Sequence, residues 1–405
     1  MSALLEQRRP DHSLPQAFYT DQDVFDFDMK AIFERAWTMV GFEIEFPQSG
    51  AYIALEIGSA AVIIVRGKDG IIRGFHNSCR HRGARICQEA AGRTPRFVCP
   101  YHQWNYDLTG KLLRAAKMAD DFIPENHGLV PIHVETVAGC VYASVAKTPL
   151  DFSPFRASVE RALRPYNLQD AKIAHIGYLE ERGNWKLVME NSRECYHCAA
   201  GHPEFQKAYP IAIGERGGAL EHVDETETTR RLRLLGLDVP SEMNDWWQVA
   251  RVPLNEGKVT FSVDGGALVS KRLIEQDGRD LGALRWAIEP NNFCHVTVDS
   301  AFMFSANPVH PTLTKVTAKW LVHKDAVEGV DYQVADVIRL WDETNMQDRD
   351  FIENNQLGVN SAGYIPGPYS PSAEPYVMSF VDWYCKMARE FIANGLTPSS
   401  VQSAA

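Results

Sequence analysis

Four residues in one stretch of this 405-residue chain have the types and spacing of a metal centre. In CRHRGARICQEAAGRTPRFVCPYHQW, Cys79 and His81 form a C-x-H arm, and Cys99 and His102 form a C-x2-H arm. Thiolate and imidazole serve both zinc and iron–sulfur clusters, so residue type leaves both open. Zinc fingers pair like with like, as C-x2-4-C and H-x3-5-H. Here each arm carries one Cys and one His. That suits a [2Fe–2S] cluster with both thiolates on one iron and both imidazoles on the other. Neutral imidazoles in place of two thiolates raise the reduction potential, which gives an electron carrier that an ordinary ferredoxin or flavin can reduce. Gly83 permits a tight first loop, Pro100 fixes the backbone after Cys99, and Trp104 can shield one side. Cys87 falls outside the pattern and reads as a packing residue. Structural zinc, or chance buried thiols with stray histidines, are the alternatives.

A second stretch, ENSRECYHCAAGHPEF (190–205), poses a geometric problem. His197 and His202 are five apart, so on a continuous helix they point about 140° away from each other. They converge only if the helix ends between them, and Gly201 and Pro203 supply an ending. Two imidazoles plus one carboxylate make the facial triad of non-haem Fe(II), with positions left for O2. Each imidazole needs an acceptor for its other nitrogen, and Glu194, one helical turn before His197, is placed to serve one of them. By itself an H-x4-H pair is a weak signal.

The elements around these residues follow from pattern. DVFDFDMKAIFERAWTMV (23–40) has Phe25, Met29, Ile32, Phe33 and Trp37 at helix spacing. From about 41 to 150 the chain is strand-like: AYIALEI, AAVIIVRG, IIRGFHN and HVETVAGCVYASV, with turns at Lys68-Asp69-Gly70 and Thr109-Gly110. From about 151 the texture is mixed α/β. Residues 155–166 read as helix, and NWKLVMENSRECYHCAAGH reads as helix until Gly201 and Pro203. Strands are expected around 258–264, 283–289, 293–306 and 313–323. A long helix is expected over 330–358, ended by Gly358, and a last one over 377–395. GYIPGPYSPSAEP reads as loop because of its prolines. The formal charge of −11 disfavours nucleic acid as a partner. Eight scattered cysteines are not a secreted disulfide framework, no apolar run follows the basic residues of MSALLEQRRP, and AAVIIV is too short for a membrane. The expected location is the cytoplasm, with no membrane partner.

CRHRG with CPYHQWNYDLTG resembles the Rieske centre of the Rieske non-haem iron oxygenases, and NWKLVMENSRECYHCAAGHPEF resembles that family's mononuclear iron motif. The resemblance implies an α+β chain, with a small all-β Rieske domain inserted into a larger α/β helix-grip (START-like) catalytic domain that has an antiparallel sheet. The expected boundaries are 1–40 for an N-terminal segment packing with the catalytic domain, 41–150 for the Rieske domain, 151–396 for the catalytic domain and 397–405 for a flexible tail. The resemblance makes Cys79, His81, Cys99 and His102 the cluster ligands, and His197 and His202 ligands of a mononuclear Fe(II). It makes Glu194 the acidic bridge between a Rieske histidine and an iron histidine, and puts Asn191 beside the site. Many members carry aspartate at the bridge; glutamate fits the branch acting on quaternary ammonium compounds. The third iron ligand is expected from TNMQDRDFIENNQLG on the long helix, where Asp348 best matches the family spacing, ahead of Asp350 and then Glu353. In the family, electrons pass between subunits of a head-to-tail homotrimer, so His102 of one chain is expected to meet Glu194 of its neighbour. No G-x-G-x-x-G follows a strand and no flavin motif is present, so NAD(P)H and flavin are expected only in a separate flavin/[2Fe–2S] reductase.

The 253–269 stretch and the tail from Gly363 are similar to the betaine-type branch, whose members hydroxylate an N-methyl carbon of glycine betaine or stachydrine. The carbinolamine then collapses to formaldehyde and a tertiary amine. A permanent cation is well held by aromatic rings, and Trp246, Trp247, Phe261, Trp286 and Tyr364 are available. The substrate carboxylate calls for an arginine that the sequence does not single out. Two other readings stand beside N-demethylation: dihydroxylation of an aromatic acid, and an electron-transfer or zinc protein with no oxygenase site. Iron content separates the last, at two irons per chain for a bare carrier, three for the oxygenase and none for a zinc protein.

Overall fold

The computed structural model describes residues 1–209, 227–234, 237, 240–252, 254–274 and 281–394. The 397–405 tail lies outside the described residues. The chain forms two units, one contiguous (Phe33–Lys172) and one built from Met1–Ile32 with Ile173–Ala405.

The contiguous unit is all β apart from short turns and one helix, Ser153–Leu163. Its strands are β1 (Thr38–Phe42), β2 (Ala51–Ile57), β3 (Ala60–Arg66), β4 (Ile72–His76), β5 (Ala91–Arg93), β6 (Phe97–Val98), β7 (Asn105–Tyr106), β8 (Leu112–Arg114), β9 (Pro131–Val137) and β10 (Cys140–Ser144). Seven form one sheet in the order β1-β10-β9-β4-β3-β2-β5, and β6-β7-β8 form a second. The expected turns are present, with Gly70 at φ 82° and Gly110 at φ 85°. Between β9 and β10 the two-residue loop puts both Ala138 and Gly139 at positive φ (48° and 85°), the backbone that matches strand twist. The 23–40 helix is shorter than its periodicity implies. The α-helix covers Gln22–Asp28, a π-turn covers Met29–Phe33, and Thr38–Phe42 leaves to pair with β10. The β-branched Thr38 gains a ladder partner in Ala143 that the helical pattern could not anticipate, and Val40 sits at a bulge between Met39 and Gly41.

The other unit is a seven-stranded sheet in the order β11 (Ala171–Glu181), β17 (Leu313–His323), β16 (Ser300–His310), β15 (Asn292–Val296), β14 (Ala283–Ile288), β13 (Trp247–Val252) and β12 (Ser241–Asn244). Every pairing from β12 to β17 is antiparallel. Register sets one row of side chains across the sheet: Arg285 opposite His295, His295 opposite Phe302, and Phe302 opposite Trp320. The helix Val334–Val359 is gripped by this face. Trp341 stacks on Phe302 at 4.4 Å and 2° between ring planes, and on His295 at 5.1 Å. The helix runs one residue past Gly358 and is capped at Asn360.

Three sequence expectations for this unit are corrected. Residues 258–264 are bends rather than a strand, because Ser262 and Asp264 turn the chain by bonding Gly266. The pairing there is made instead by β12 and β13, which the pattern missed. The 293–306 strand is two strands, reversing at Asp299. The helix over 184–201 breaks: Trp185–Asn191 is helical, 192–197 is not, and a single turn resumes at Cys198–Gly201.

The first of these helices is anchored by a buried charge. Lys186 and Asp28 are both fully buried and paired. Asp28 also accepts from Trp185 Nε1 (3.1 Å) and Tyr384 Oη (2.7 Å), tying the N-terminal segment to the last helix, Pro375–Ala393. Removing one partner leaves the other charge buried and uncompensated. Asp28→Ala is expected to lower unfolding free energy by about 3–5 kcal/mol, and Asp28→Ala with Lys186→Met to restore most of it. Urea denaturation of the three proteins checks this, and an unchanged midpoint in the single variant would remove the anchor.

Candidate functional site

In the contiguous unit the two arms lie on two closed loops. Cys79 and Gly83 close the first, through Gly83 N–Cys79 O at 2.9 Å and Cys79 N–Ala84 O at 2.9 Å. Cys99 and Trp104 close the second, through Cys99 N–Trp104 O at 2.8 Å, with Gln103 at φ 61°. Both cysteines are buried and both histidines exposed. The Nδ1 atoms of His81 and His102 come within 3.1 Å. Burial raises the Cys99 thiol, and the neighbouring Cys79 adds to the rise. Tyr106 Oη lies 3.3 Å from Cys79 Sγ and accepts from Arg80 N at 3.1 Å. Trp104 stacks on His81 at 5.0 Å and 10°. Two inward thiols and two outward imidazoles with nitrogens converging fit a cluster with sulfur ligands on one iron and nitrogen ligands on the other. Cys87 is buried in the same core, its thiol pushed up to about 12 by burial, and stands apart from the four.

In the larger unit the broken helix solves the convergence problem differently from the expectation. His197 caps the start of the single turn and His202 caps its end, so the two rings flank one helical turn. Glu194 is therefore not on a helical face. Its carboxylate accepts from the backbone N–H groups of Tyr196 and His197 and from His197 Nδ1. His202 Nδ1 donates to Gln347 Oε1 at 2.7 Å. With both Nδ1 atoms engaged, both Nε2 atoms face inward. They lie 3.0 Å apart, and each is 3.1 Å from Asp348 Oδ1. Such a triangle matches three adjacent octahedral positions with bonds of about 2.1 Å. Burial opposes charge on His197, but Asp348 and Glu194 outweigh it and raise its pKa to about 9. Burial likewise opposes the Asp348 carboxylate, yet His197 and His202 hold it below its ordinary value. The three groups share one demand for positive charge, which a divalent metal meets.

Asp350 is exposed and pairs with Arg349, while Glu353 accepts from Arg182 N, so neither joins the triangle. Asn191 Nδ2 lies 3.5 Å from His197 Nε2. Cys198 Sγ is 4.0 Å from the same nitrogen but is bonded to Cys195 in a disulfide, so it offers no thiolate. Gly201 leaves no room for a Cβ, which would lie 2.6 Å from the Phe351 ring.

The triangle opens on a solvent-connected cavity of ≈ 140 Å³. Its aromatic wall is Phe205, Tyr209, Phe293, Phe304, Trp341 and Tyr376, and none of these was singled out from the sequence. The expected cage residues lie elsewhere. Trp286 is fully buried, Trp247 lines a separate small pocket, Trp246 is buried, Phe261 stacks behind Phe205 at 5.7 Å, and Tyr364 bonds Ser13 and Leu14. Glu181, also missed, lines the cavity fully buried, and burial followed by the Asp348 charge pushes its carboxyl up to about 8. On the other side of His197 a second cavity holds Glu190, which accepts from Tyr19 (2.9 Å) and Tyr369 (3.1 Å).

Comparison with known proteins gives two family matches: the Rieske [2Fe-2S] domain over residues 36–132, and the ring hydroxylating alpha subunit (catalytic domain) over 168–390. The chain is 40% identical over 397 residues to the glycine betaine monooxygenase oxygenase subunit of Chromohalobacter salexigens, covering 94% of this chain and 87% of that one. It is 40% identical to the Pseudomonas aeruginosa counterpart, covering 94% and 90%. It is 30% identical to the carnitine monooxygenase oxygenase subunit of Escherichia coli over 210 residues, 49% of this chain and 54% of the other. Among solved structures, the quaternary ammonium Rieske monooxygenase CntA with L-carnitine superposes with a TM-score of 0.70 at 20% identity, over 96% of this chain and 98% of that one. Naphthalene 1,2-dioxygenase from Rhodococcus reaches 0.66 at 17%, over 96% and 97%. At these identities the structures speak to the fold.

The triangle yields a direct expectation. Asp348→Ala is expected to lose one iron per chain with the visible spectrum of the cluster unchanged, whereas Asp350→Ala keeps it. Metal analysis of anaerobically loaded protein checks this; retention of that iron in Asp348→Ala would displace Asp348 from the ligand set.

Proposed function

This chain belongs to the Rieske non-haem iron oxygenases, as an alpha subunit of the ring-hydroxylating family, and on that premise we propose that it is the terminal oxygenase that hydroxylates an N-methyl group of a quaternary ammonium compound such as glycine betaine or stachydrine. The observation that carries this reading is a three-donor triangle opening on an aromatic-walled chamber, in a chain 40% identical to enzymes named for glycine betaine. Cys79, His81, Cys99 and His102 hold the [2Fe–2S] cluster, and His197, His202 and Asp348 hold the iron. The cluster supplies one electron at a time and the ferrous ion supplies the site of O2 reduction.

The protein's own work is positioning. Glu194 and Gln347 fix the two imidazoles by their Nδ1 atoms, so the rings cannot turn away from the metal. The single turn Cys198–Gly201 sets the spacing between them, and Val334–Val359 brings the carboxylate. Phe205, Phe293 and Trp341 line the chamber, where aromatic rings attract the quaternary ammonium by cation–π contact and keep water from it. Overall, one oxygen atom enters the C–H bond and the other leaves as water, with two electrons and two protons consumed. The carbinolamine then releases formaldehyde, the tertiary amine and a proton. The electrons come from NAD(P)H through a separate flavin/[2Fe–2S] reductase. Glu194 links His197 to His102 of a neighbouring copy in a head-to-tail homotrimer, a ring closed by heterologous contacts. Its place on His197 Nδ1 and the exposure of His102 support that link.

Two outcomes follow. Protein loaded with both metals, reduced with dithionite and exposed to O2, is expected to release formaldehyde from glycine betaine or stachydrine. Turnover of aromatic acids alone would replace this function with ring dihydroxylation. Glu194→Gln preserves the shape of the side chain, and is expected to keep all three irons while reductase-driven turnover falls about 10–100-fold; full activity would remove Glu194 from the electron path.

A further inference from the structure

Charge around the chamber is unevenly matched. Arg193 is neutralised by Glu289 in a two-bond pair, Nε–Oε1 at 3.1 Å and Nη2–Oε2 at 2.6 Å. Arg285, which also lines the chamber, has no such partner. Its Nη1 donates to the neutral amide of Gln248 at 2.7 Å, and its guanidinium sits 5.2 Å from the centroid of Phe293. Among the described residues no carboxylate forms an ion pair with it. Burial, and then the charge of Arg193, lower its pKa to about 10, which still leaves a cation at neutral pH. The nearby Glu289 charge offsets Arg193 only in part and makes no ion pair with Arg285, so this desolvated guanidinium gains from an anion of its own.

A second polar group stands at the same end. His295 is directly opposite Arg285 across the β14–β15 ladder. It is 7% exposed, and its Nδ1 has no hydrogen-bond partner among the described residues. Burial first, then Arg285, hold it well below its ordinary pKa, so the ring is neutral. Buried polar atoms in folded proteins are nearly always satisfied, and this one, directly across the ladder from a cation with no ion pair, leaves a nitrogen available to a ligand group. From this end to the metal triangle the path is lined by rings: Phe293 to Trp341 at 6.3 Å, Trp341 to Phe205 at 5.4 Å, and Phe205 to His202 at 6.5 Å.

We propose that Arg285 is the anion anchor of the chamber, binding the carboxylate of a zwitterionic substrate with His295 as a second contact, and so setting the N-methyl cation among Phe205, Phe293 and Trp341 beside His202. This rests on the reading that the substrate is a quaternary ammonium compound, and narrows it to a quaternary ammonium carboxylate. The guanidinium presents paired N–H donors that match a carboxylate, which a hydroxyl cannot satisfy. Arg285 is thus a specificity-determining residue that touches substrate, and choline, with the same trimethylammonium but an alcohol in place of the carboxylate, is rejected.

The test is anaerobic titration calorimetry of the iron-loaded ferrous full chain with glycine betaine, choline and benzoate, in wild type, Arg285→Gln and Arg285→Lys. Wild type is expected to bind glycine betaine at least tenfold more tightly than choline. Arg285→Gln is expected to weaken glycine betaine roughly 10–100-fold and leave choline unchanged, with Arg285→Lys recovering part of the loss. A merely structural role would weaken both ligands together, and a circular dichroism melt matching wild type establishes that the variant is folded. Equal affinity of folded Arg285→Gln and wild type for glycine betaine overturns the anchor. So does a wild type that binds choline as well as glycine betaine, a comparison that needs no variant. If wild type binds neither ammonium compound but binds benzoate in an Arg285-dependent way, the anchor stands and the N-demethylation reading falls.

Discussion

Two imidazole nitrogens and a carboxylate oxygen lie 3.0–3.1 Å from one another, with the other nitrogen of each imidazole already engaged. That crowding is the constraint to which the larger unit is built. Neutral nitrogens carry lone pairs that repel each other and repel the carboxylate, so the arrangement holds only around a shared positive charge. Each neighbouring feature then has a purpose. The helix stops at Asn191 so that a non-helical segment can bring Glu194 under His197. One turn separates the histidines, and a bare Gly201 lets that turn approach Phe351 on the long helix. The sheet face holds the long helix by stacking Trp341 on Phe302, which fixes where Asp348 lies.

How far the sequence could reach depended on whether a feature was local. The two arms were legible because a C-x-H and a C-x2-H loop are each closed within a few residues by their own backbone hydrogen bonds. The turns at Gly70 and Gly110, and the long helix, were legible for the same reason: φ preference and 3.6-residue periodicity are written in neighbouring residues. Asp348 needed family spacing, because nothing local separates it from Asp350 on the same helix. The path of 184–202 was misjudged since its apolar residues at 185, 187, 188 and 189 open a helix and the obvious stops come only at Gly201 and Pro203, and only the side chain of Glu194, capping Tyr196 and His197, shows why the helix yields earlier.

The chamber wall was beyond reach for a different reason. Phe205, Phe293, Phe304 and Trp341 come from a short helix, two strands and the long helix, and their convergence depends on strand register. A one-residue slip of β15 would turn Phe293 and His295 to the opposite face and bring Cys294 in. Arg285 shares that dependence, since only the β14–β15 register sets it beside His295. Aromatic residues counted along the chain say nothing about register, and so Trp286, one position away on the same strand, faces the other way and is fully buried.

The tie between Asp28 and Tyr384 spans 356 positions of chain. During translation, Phe33–Lys172 has left the ribosome with both of its sheets complete while the rest is still being made. At typical elongation rates the last helix follows by roughly 10–40 s. Throughout that interval the N-terminal segment lacks the part of its packing that the last helix supplies: Phe18 against Tyr384 at 5.9 Å and Asp28 accepting from Tyr384 Oη. The larger unit is accordingly closed by its two ends meeting: every strand of the contiguous unit has been made before the helix that completes the Asp28 cluster exists.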